Sequence, residues 1–173
     1  MNSFTRLGMQ VFVSRRSGVR MKRTQWTELI AGLDERAEGV RESGAFLLSD
    51  VTGGSRVVRR VVYYDDLGPC SHNGGLWVRP PAYAKLWRLC SAEERKVIAD
   101  LHTHPGDFTQ LSPTDQMHPM VGTVGHIAIV VPRLARGPIE PRECGVHVYL
   151  GGHRWKSRFG RDAERFLCVG GRP

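Results

Sequence analysis

Residues 101–119 read LHTHPGDFTQLSPTDQMHP, and this stretch decides both the fold and the candidate chemistry. The run before it, KVIADLHT at residues 96–103, is rich in β-forming residues, so His102 and His104 lie at the end of a predicted strand. Side chains alternate along a strand, which puts both imidazoles on one face and Thr103 on the other. Two histidines on one face can share a metal ion.

The start of a helix follows after seven intervening residues. Ser112 is a favourable N-cap, Pro113 suits the first helical position, and Asp115 comes three residues after the cap. Taken alone, Ser-Pro-Thr-Asp is typical of an ordinary capped helix whose aspartate interacts with the helix dipole. That interpretation leaves the preceding pair of histidines unexplained, because single histidines on strands usually satisfy ordinary hydrogen bonds.

The elements on either side alternate between helix and strand patterns. Apolar residues at helical spacing predict an amphipathic helix over residues 25–37, and prolines at its start predict another over 80–95. The remaining predictions are strands at 43–49, 55–64, 125–131 and 145–150, a loop at 65–76, and a short closing helix at 160–168. This order predicts an α/β (α+β) fold with a mixed central sheet and helices packed on it.

Size and composition restrict the class of protein. The chain has 173 residues, of which 40% are hydrophobic, enough for one domain with a core. No apolar run approaches the roughly 20 residues needed to cross a bilayer. The first residues lack the apolar region of a secretory signal, so we expect a cytoplasmic protein without a membrane partner.

Cysteine spacing and charge exclude further classes. Four widely spaced cysteines, with no C-x-x-C pair, predict reduced structural thiols: Cys70, Cys90, Cys144 and Cys168. A net charge of +8 would suit an acidic partner or a nucleic acid. The basic residues are scattered without interleaved aromatics, however, which favours a solubilising surface over nucleic-acid binding.

The spacing His102-x-His104, seven residues, Ser112 and Asp115 resembles the signature of the JAMM zinc metalloproteases, also called the MPN-plus or JAB-type family. That signature includes an upstream glutamate before a small-residue and aliphatic strand. Residues 41–48, RESGAFLL, look like that segment, and Glu42 is the match. Alone, Glu42 is typical of a solvated acid at a strand end. The resemblance covers about residues 25–150 and implies one MPN/JAB-like domain over 1–173, with a flexible tail at 169–173.

The resemblance also implies a set of roles. His102, His104 and Asp115 would hold one Zn²⁺ and leave a fourth position for water, which is a catalytic arrangement. Glu42 would act first as base and then as acid. Ser112, at a helix start, would donate to the oxyanion of the tetrahedral intermediate. Its capping and catalytic roles are compatible but compete for the same hydroxyl.

The implied activity is that of a zinc-dependent isopeptidase that removes a ubiquitin-like protein from a lysine-linked target, and that also trims the ubiquitin-like precursor. A short single-domain chain is similar to the prokaryotic branch, whose members accompany ubiquitin-like conjugation systems, some of them antiviral. The expected partners are the ubiquitin-like protein, its conjugated target and the conjugation enzymes of that pathway. The loop at 65–76 and the adjoining strand are candidates for holding the extended tail by strand addition.

Two other functions stay open, namely a peptidase acting on the C-terminus of a sulfur-carrier protein and a non-catalytic MPN scaffold. The deaminase pattern H-x-E with P-C-x-x-C and the zincin pattern H-E-x-x-H are both absent from the sequence. Asp100, on the same strand face as His102, is a candidate to orient an imidazole or an ordinary acid at the edge of the site. The remaining histidines lack paired spacing and are expected at the surface or in the core, with His118 a candidate neighbour of the ligands: His72, His118, His126, His147 and His153.

Overall fold

A computed structural model of the chain describes residues 18–70 and 76–170. Strands and short helices alternate along it. In chain order the elements are β1 (Val19–Met21), α1 (Arg23–Ala37), β2 (Gly44–Asp50), β3 (Arg60–Tyr63), α2 (Tyr64–Leu67), α3 (Pro80–Ala92), β4 (Arg95–Thr103), α4 (Pro113–Met117), β5 (Ile127–Val131), β6 (Gly145–Gly151), β7 (Arg154–Arg158), α5 (Gly160–Phe166) and β8 (Leu167–Val169). Two 3-10 turns, Arg133–Ala135 and Pro141–Glu143, connect β5 to β6.

Six of the strands form one mixed sheet in the order β3-β2-β4-β5-β6-β7. All neighbours are antiparallel except β4 and β5, which run parallel. A separate pair, β1 and β8, is parallel and joins the two ends of the described chain. The predicted α+β class with a mixed central sheet is therefore confirmed.

Helices cover both faces of this sheet. On β2, Ala45 and Leu47 belong to the hydrophobic cluster that contains the buried face of α1. Their neighbours Phe46 and Leu48 belong to the cluster that contains α3. Because successive side chains of a strand point to opposite faces, β2 is buried on both sides and its sequence is almost continuously apolar.

The same alternation sets the direction of the site residues on β4. Ala99 and Leu101 lie in the cluster with α1. Asp100 and His102 are therefore on the α3 face, and His102 lies opposite Gly44 of β2 in the antiparallel register. A central strand with neighbours on both sides provides a rigid support for a site at its end.

Several predicted boundaries differ from the structure. The strand expected at 55–64 is shorter, because Tyr64 begins α2 and the backbone around Val58 bonds to β1 instead, with Val58 N–H donating to Arg20 O at 2.8 Å. The helix expected to reach residue 95 ends at Ala92, and Arg95 already belongs to β4. Strand β7, RWKSR, was not predicted, because its exposed basic residues hide the alternation.

The closing helix is confirmed from residue 160 to Phe166, after which the chain enters β8. Val169, part of the predicted flexible tail, pairs with Met21 in that strand. The predictions for the N-terminal residues 1–17, for His72 in the loop at 71–75, and for the tail residues 171–173 fall outside the described residues.

Two negative predictions can be compared with the described part of the chain. None of its helices is long and apolar enough to cross a membrane. All four cysteines are free, as expected for reduced thiols. A cytoplasmic location stays a prediction.

Candidate metal centre

Two histidines at the end of β4 bring their ring nitrogens together. His102 and His104 are separated by one residue, and their Nε2 atoms lie 3.2 Å apart. His102 is buried, while 12% of the His104 side chain is exposed. The strand period thus places both imidazoles on the α3 face, as predicted from the sequence.

The third group comes from the first turn of α4. Ser112 is the N-cap, and its Oγ accepts a hydrogen bond from the Asp115 N–H at 3.1 Å. In return, the Ser112 N–H donates to Asp115 Oδ2 at 2.8 Å. This reciprocal capping box fixes the Asp115 carboxylate, whose Oδ2 lies 3.5 Å from both Nε2 atoms. The predicted helix start is confirmed, and it also delivers a carboxylate to the histidines.

The three atoms fit a zinc ion. With separations of 3.2, 3.5 and 3.5 Å, they share a point that is about 2.0 Å from each, within the usual zinc–nitrogen and zinc–oxygen distances of about 2.0–2.2 Å. Among the described residues this is the one group of three or more His, Cys, Asp or Glu side chains close enough together to hold a metal. Two imidazoles and one carboxylate leave a fourth tetrahedral position open.

His104 is held in the tautomer that a metal ligand needs. Its Nδ1 lies 3.0 Å from the Phe108 carbonyl oxygen, which can only accept a hydrogen bond. Nδ1 therefore carries the proton, and the lone pair of Nε2 faces the other two groups. His102 differs, because its buried Nδ1 has no hydrogen-bond partner within residues 18–70 and 76–170.

Electrostatics keep the carboxylate ionised. Burial raises the pKa of Asp115, but its close contacts with the His102 and His104 rings outweigh burial and hold that pKa well below its usual range. Burial lowers the pKa of His102, whereas the hydrogen bond and charge of Asp115 raise it, and the net pKa lies above its usual value. A negative charge is thus present where a cation would bind.

Glu42 lies just before β2, the strand that pairs with β4. Ser43 and Thr103 pair closely, with Thr103 N–H donating to Ser43 O and Ser43 N–H donating to Thr103 Oγ1, both at 2.9 Å. Gly44 lies opposite His102, and this register, continued by two residues beyond the ends of the strands, places half-buried Glu42 near His104. Its charge also acts to raise the pKa of His102. Direct contacts therefore bring four of the five predicted residues together, and Glu42 lies close enough for its charge to act on His102.

Asp100 does not orient either of these imidazoles. Its Oδ1 forms a buried hydrogen bond with Nε2 of His126, which lies just before β5. His118 is exposed, and its ring packs against Trp77 with centroids 5.1 Å apart. Trp77 and His118 line a pocket of about 210 Å³ that reaches Asp115. His118 thus borders the approach to the site.

The remaining described histidines are accounted for by their positions. His147 is fully buried and His153 is exposed, in agreement with the expected core and surface positions.

The sequence did not predict the contacts made by two backbone carbonyls, those of Phe108 and Thr109, with His104 and His147. A main-chain acceptor has no residue signature, and only the fold shows where it points.

No protein-family model matches the chain. Solved structures do resemble it. The solution structure of a Desulfitobacterium hafniense protein matches with a TM-score of 0.59 at 15% identity, covering 87% of this chain and 92% of that one. A Salinibacter ruber protein, also solved in solution, matches with a TM-score of 0.57 at 14% identity, covering 81% and 88%. These two matches indicate a shared fold alone.

A JAB1/MPN domain protein from Archaeoglobus fulgidus, known from a crystal structure, is also similar at 16% identity, covering 88% of this chain and 98% of that one. Its TM-score of 0.40 is too low to support an assignment of family or activity. The JAMM resemblance therefore remains an interpretation of the motif and of the site.

Proposed function

We propose that this protein is a zinc-dependent isopeptidase of the JAMM type. The observation that carries the proposal is the convergence of three ligand atoms from His102, His104 and Asp115, with Glu42 close enough for its charge to raise the pKa of His102. A structural zinc site would be closed by a fourth protein ligand, whereas three ligands are typical of hydrolytic sites. The intact ligand set argues against a non-catalytic scaffold.

The three ligands would hold one Zn²⁺. Zinc bound there would lower the pKa of a water molecule from about 15.7 toward about 7 and polarise the carbonyl of a substrate. The ionised Asp115 supplies charge neutralisation, and the Phe108 carbonyl keeps His104 correctly protonated for this role.

Glu42 would move the proton. Its carboxylate takes a proton from the attacking water as the water oxygen bonds to the amide carbonyl carbon. It then gives that proton to the nitrogen when the C–N bond breaks, so that the lysine amine leaves neutral. The place of Glu42 just before β2, on a different segment from the ligands, suits a group that acts on water without binding the metal.

Ser112 would stabilise the oxyanion. Its Oγ accepts the capping hydrogen bond from the Asp115 N–H, so capping uses a lone pair of the hydroxyl and not its proton. The proton remains available to donate to a developing negative charge. The capping and catalytic roles of Ser112 are thus compatible.

The substrate class is proposed from the motif. A ubiquitin-like protein would present its C-terminal glycine, linked to a lysine of a target or extended as a precursor, within a bacterial and in some cases antiviral conjugation pathway. Strand β3 lies at the edge of the six-stranded sheet and leads into the segment at 65–76, so an extended tail has an edge on which to add. The conjugation enzymes of the same pathway are the further proposed partners.

The decisive experiment is Glu42→Gln. We expect this variant to keep one zinc per chain, measured by plasma mass spectrometry, while kcat falls by about 10²–10⁴-fold because the proton carrier is lost. The assay uses a fluorogenic peptide ending in Gly-Gly and linked to the ε-amine of a lysine reporter, beside a linear peptide of the same sequence.

Exposed Glu164 on α5 provides the matched control, since Glu164→Gln makes the same chemical change far along the chain from the site. Unaltered turnover in Glu42→Gln would refute the mechanism. Cleavage of the linear peptide alone would favour the sulfur-carrier peptidase over the isopeptidase.

A further inference from the structure

The loop that links the two halves of the metal centre is attached to β6. This loop, residues 105–112, runs from His104 to the cap of α4. The Thr109 carbonyl oxygen within it lies 2.9 Å from Nε2 of His147 on β6. It also lies so close to Gly145 that a Cβ there would be 2.0 Å from it. The loop can therefore rest on the start of β6 only while residue 145 lacks a side chain.

His147 uses both of its ring nitrogens. The side chain is fully buried, and Nδ1 lies 2.8 Å from Ser157 Oγ on β7. Since a carbonyl oxygen can only accept, Nε2 carries the proton and donates to Thr109, while Nδ1 accepts from the Ser157 hydroxyl. The imidazole is neutral, because burial lowers the pKa of His147 to about 4.

A short hydrogen-bond path connects this attachment to the metal centre. Phe108 directly precedes Thr109, and its carbonyl accepts the Nδ1–H of His104 at 3.0 Å. Anchoring the Thr109 carbonyl on β6 restrains the position of the preceding peptide, because the two peptide planes share the Thr109 α-carbon. His147 is therefore two hydrogen bonds and one residue away from a metal ligand.

We propose that His147 is a positioning residue of the metal centre, acting through Thr109 and Phe108 to direct Nε2 of His104 at the metal. This inference rests on the proposed metal site, but it requires no particular substrate. It gives a role to a buried histidine that touches neither the ligands nor the open position of the site.

Two substitutions at position 147 test whether the hydrogen bond from Nε2 matters or whether the side chain only fills space. The amide nitrogen of glutamine reaches the position of histidine Nε2, whereas that of asparagine reaches only the position of Nδ1. We expect His147→Gln to bind zinc within about threefold of the wild type. We expect His147→Asn to lose about 10–100-fold in zinc affinity, the usual cost of removing a group that orients a metal ligand.

The measurement is zinc affinity by chelator competition, with the absorption spectrum of the Co²⁺-substituted protein as a readout of ligand geometry. His153→Asn is the matched control, since His153 is exposed in a left-handed conformation that asparagine tolerates. Gly145→Ala provides a second route, because the added methyl group would lie 2.0 Å from the Thr109 carbonyl oxygen and 2.7 Å from Nε2 of His147, so it disrupts their hydrogen bond while the imidazole is retained. It should weaken zinc binding and change the Co²⁺ spectrum, and it decides the question if His147→Asn does not fold.

The outcomes are distinguishable. A wild-type protein that binds no zinc overturns the proposed function itself. Wild-type zinc affinity and an unchanged Co²⁺ spectrum in folded His147→Asn, or in Gly145→Ala, overturn the positioning role alone. Equal losses in the Gln and Asn variants also overturn it, because the donor at Nε2 would then be irrelevant.

Discussion

Two clusters of histidine and aspartate lie on one face of β4. They differ in how many side chains meet and in how far those side chains are exposed to solvent. Asp100 pairs with His126, and the two side chains are 2% and 3% exposed. Two residues further along the strand, His102 begins the cluster with His104 and Asp115, in which 24% of the Asp115 side chain is exposed. The residue types and the supporting strand are the same in both.

The difference lies in what each cluster leaves open. In the Asp100–His126 pair, Nε2 of His126 and Oδ1 of Asp100 form one direct hydrogen bond. In the second cluster three atoms surround a common point, and no single hydrogen bond satisfies them all. Residue type therefore does not identify a metal site. The number of converging ligand atoms and their access to solvent do.

The largest expected difference is between the Asp115→Ala and Asp100→Ala variants, in zinc binding and in stability. Asp115→Ala should weaken zinc binding by about 100-fold or more and abolish cleavage, because one of three ligands is gone. Asp100→Ala should keep zinc and activity but lose about 1–3 kcal/mol of the free energy of unfolding, because the buried ring nitrogen of His126 is left without its hydrogen-bond partner. Metal analysis and urea denaturation of both variants check this. Equal zinc loss in the two would remove the distinction between the clusters.

A smaller effect is expected at Ser112, which caps α4 beside the cluster of His102, His104 and Asp115. Ser112→Gly keeps an acceptable N-cap, so the free energy of unfolding should fall by only a few tenths of a kcal/mol. If the hydroxyl stabilises the oxyanion, kcat should fall by about 100-fold with zinc retained. Steady-state kinetics on the isopeptide-linked reporter measure it. A kcat unchanged from the wild type would leave Ser112 with the cap alone.

The smallest effect concerns a third buried imidazole, His147, and its response to pH. Burial lowers the pKa of His147 to about 4 in the folded protein, against about 6.5 when unfolded. Between these values the unfolded state binds more protons, so this contribution to stability is complete above about pH 6.5 and is lost as the pH falls toward 4. Metal-stripped wild type should lose about 2 kcal/mol more than His147→Gln between pH 7 and 5 in urea denaturation. Parallel losses would show that His147 does not carry the effect.

Local patterns predicted the placement of His102, His104 and Ser112. Strand alternation placed His102 and His104 on one face, and the sequence Ser112-Pro113 marked the start of α4. Both signals act over a few residues, where backbone geometry dictates direction. The same holds for α1 and β5, whose apolar spacing is regular and whose predicted bounds are close to those observed.

Long-range contacts could not be predicted in this way. The partner of Asp100 lies 26 residues away in sequence, and that of Thr109 lies 38 residues away, so no local pattern relates them. Strands β1 and β8 are only three residues long, too short for a period to emerge. In each case the contact depends on how the sheet assembles and not on the residues next to it.

One carboxylate oxygen of Asp115 makes two kinds of contact. Oδ2 of Asp115 accepts the Ser112 N–H that starts α4, and it is also the oxygen that faces both histidines. Asparagine at this position would keep a cap but lose the charge, and glutamate would keep the charge but carry it one methylene further from both partners. Alanine would lose both. None of these three exchanges preserves both contacts, so the start of α4 and the three-atom cluster depend on one carboxylate.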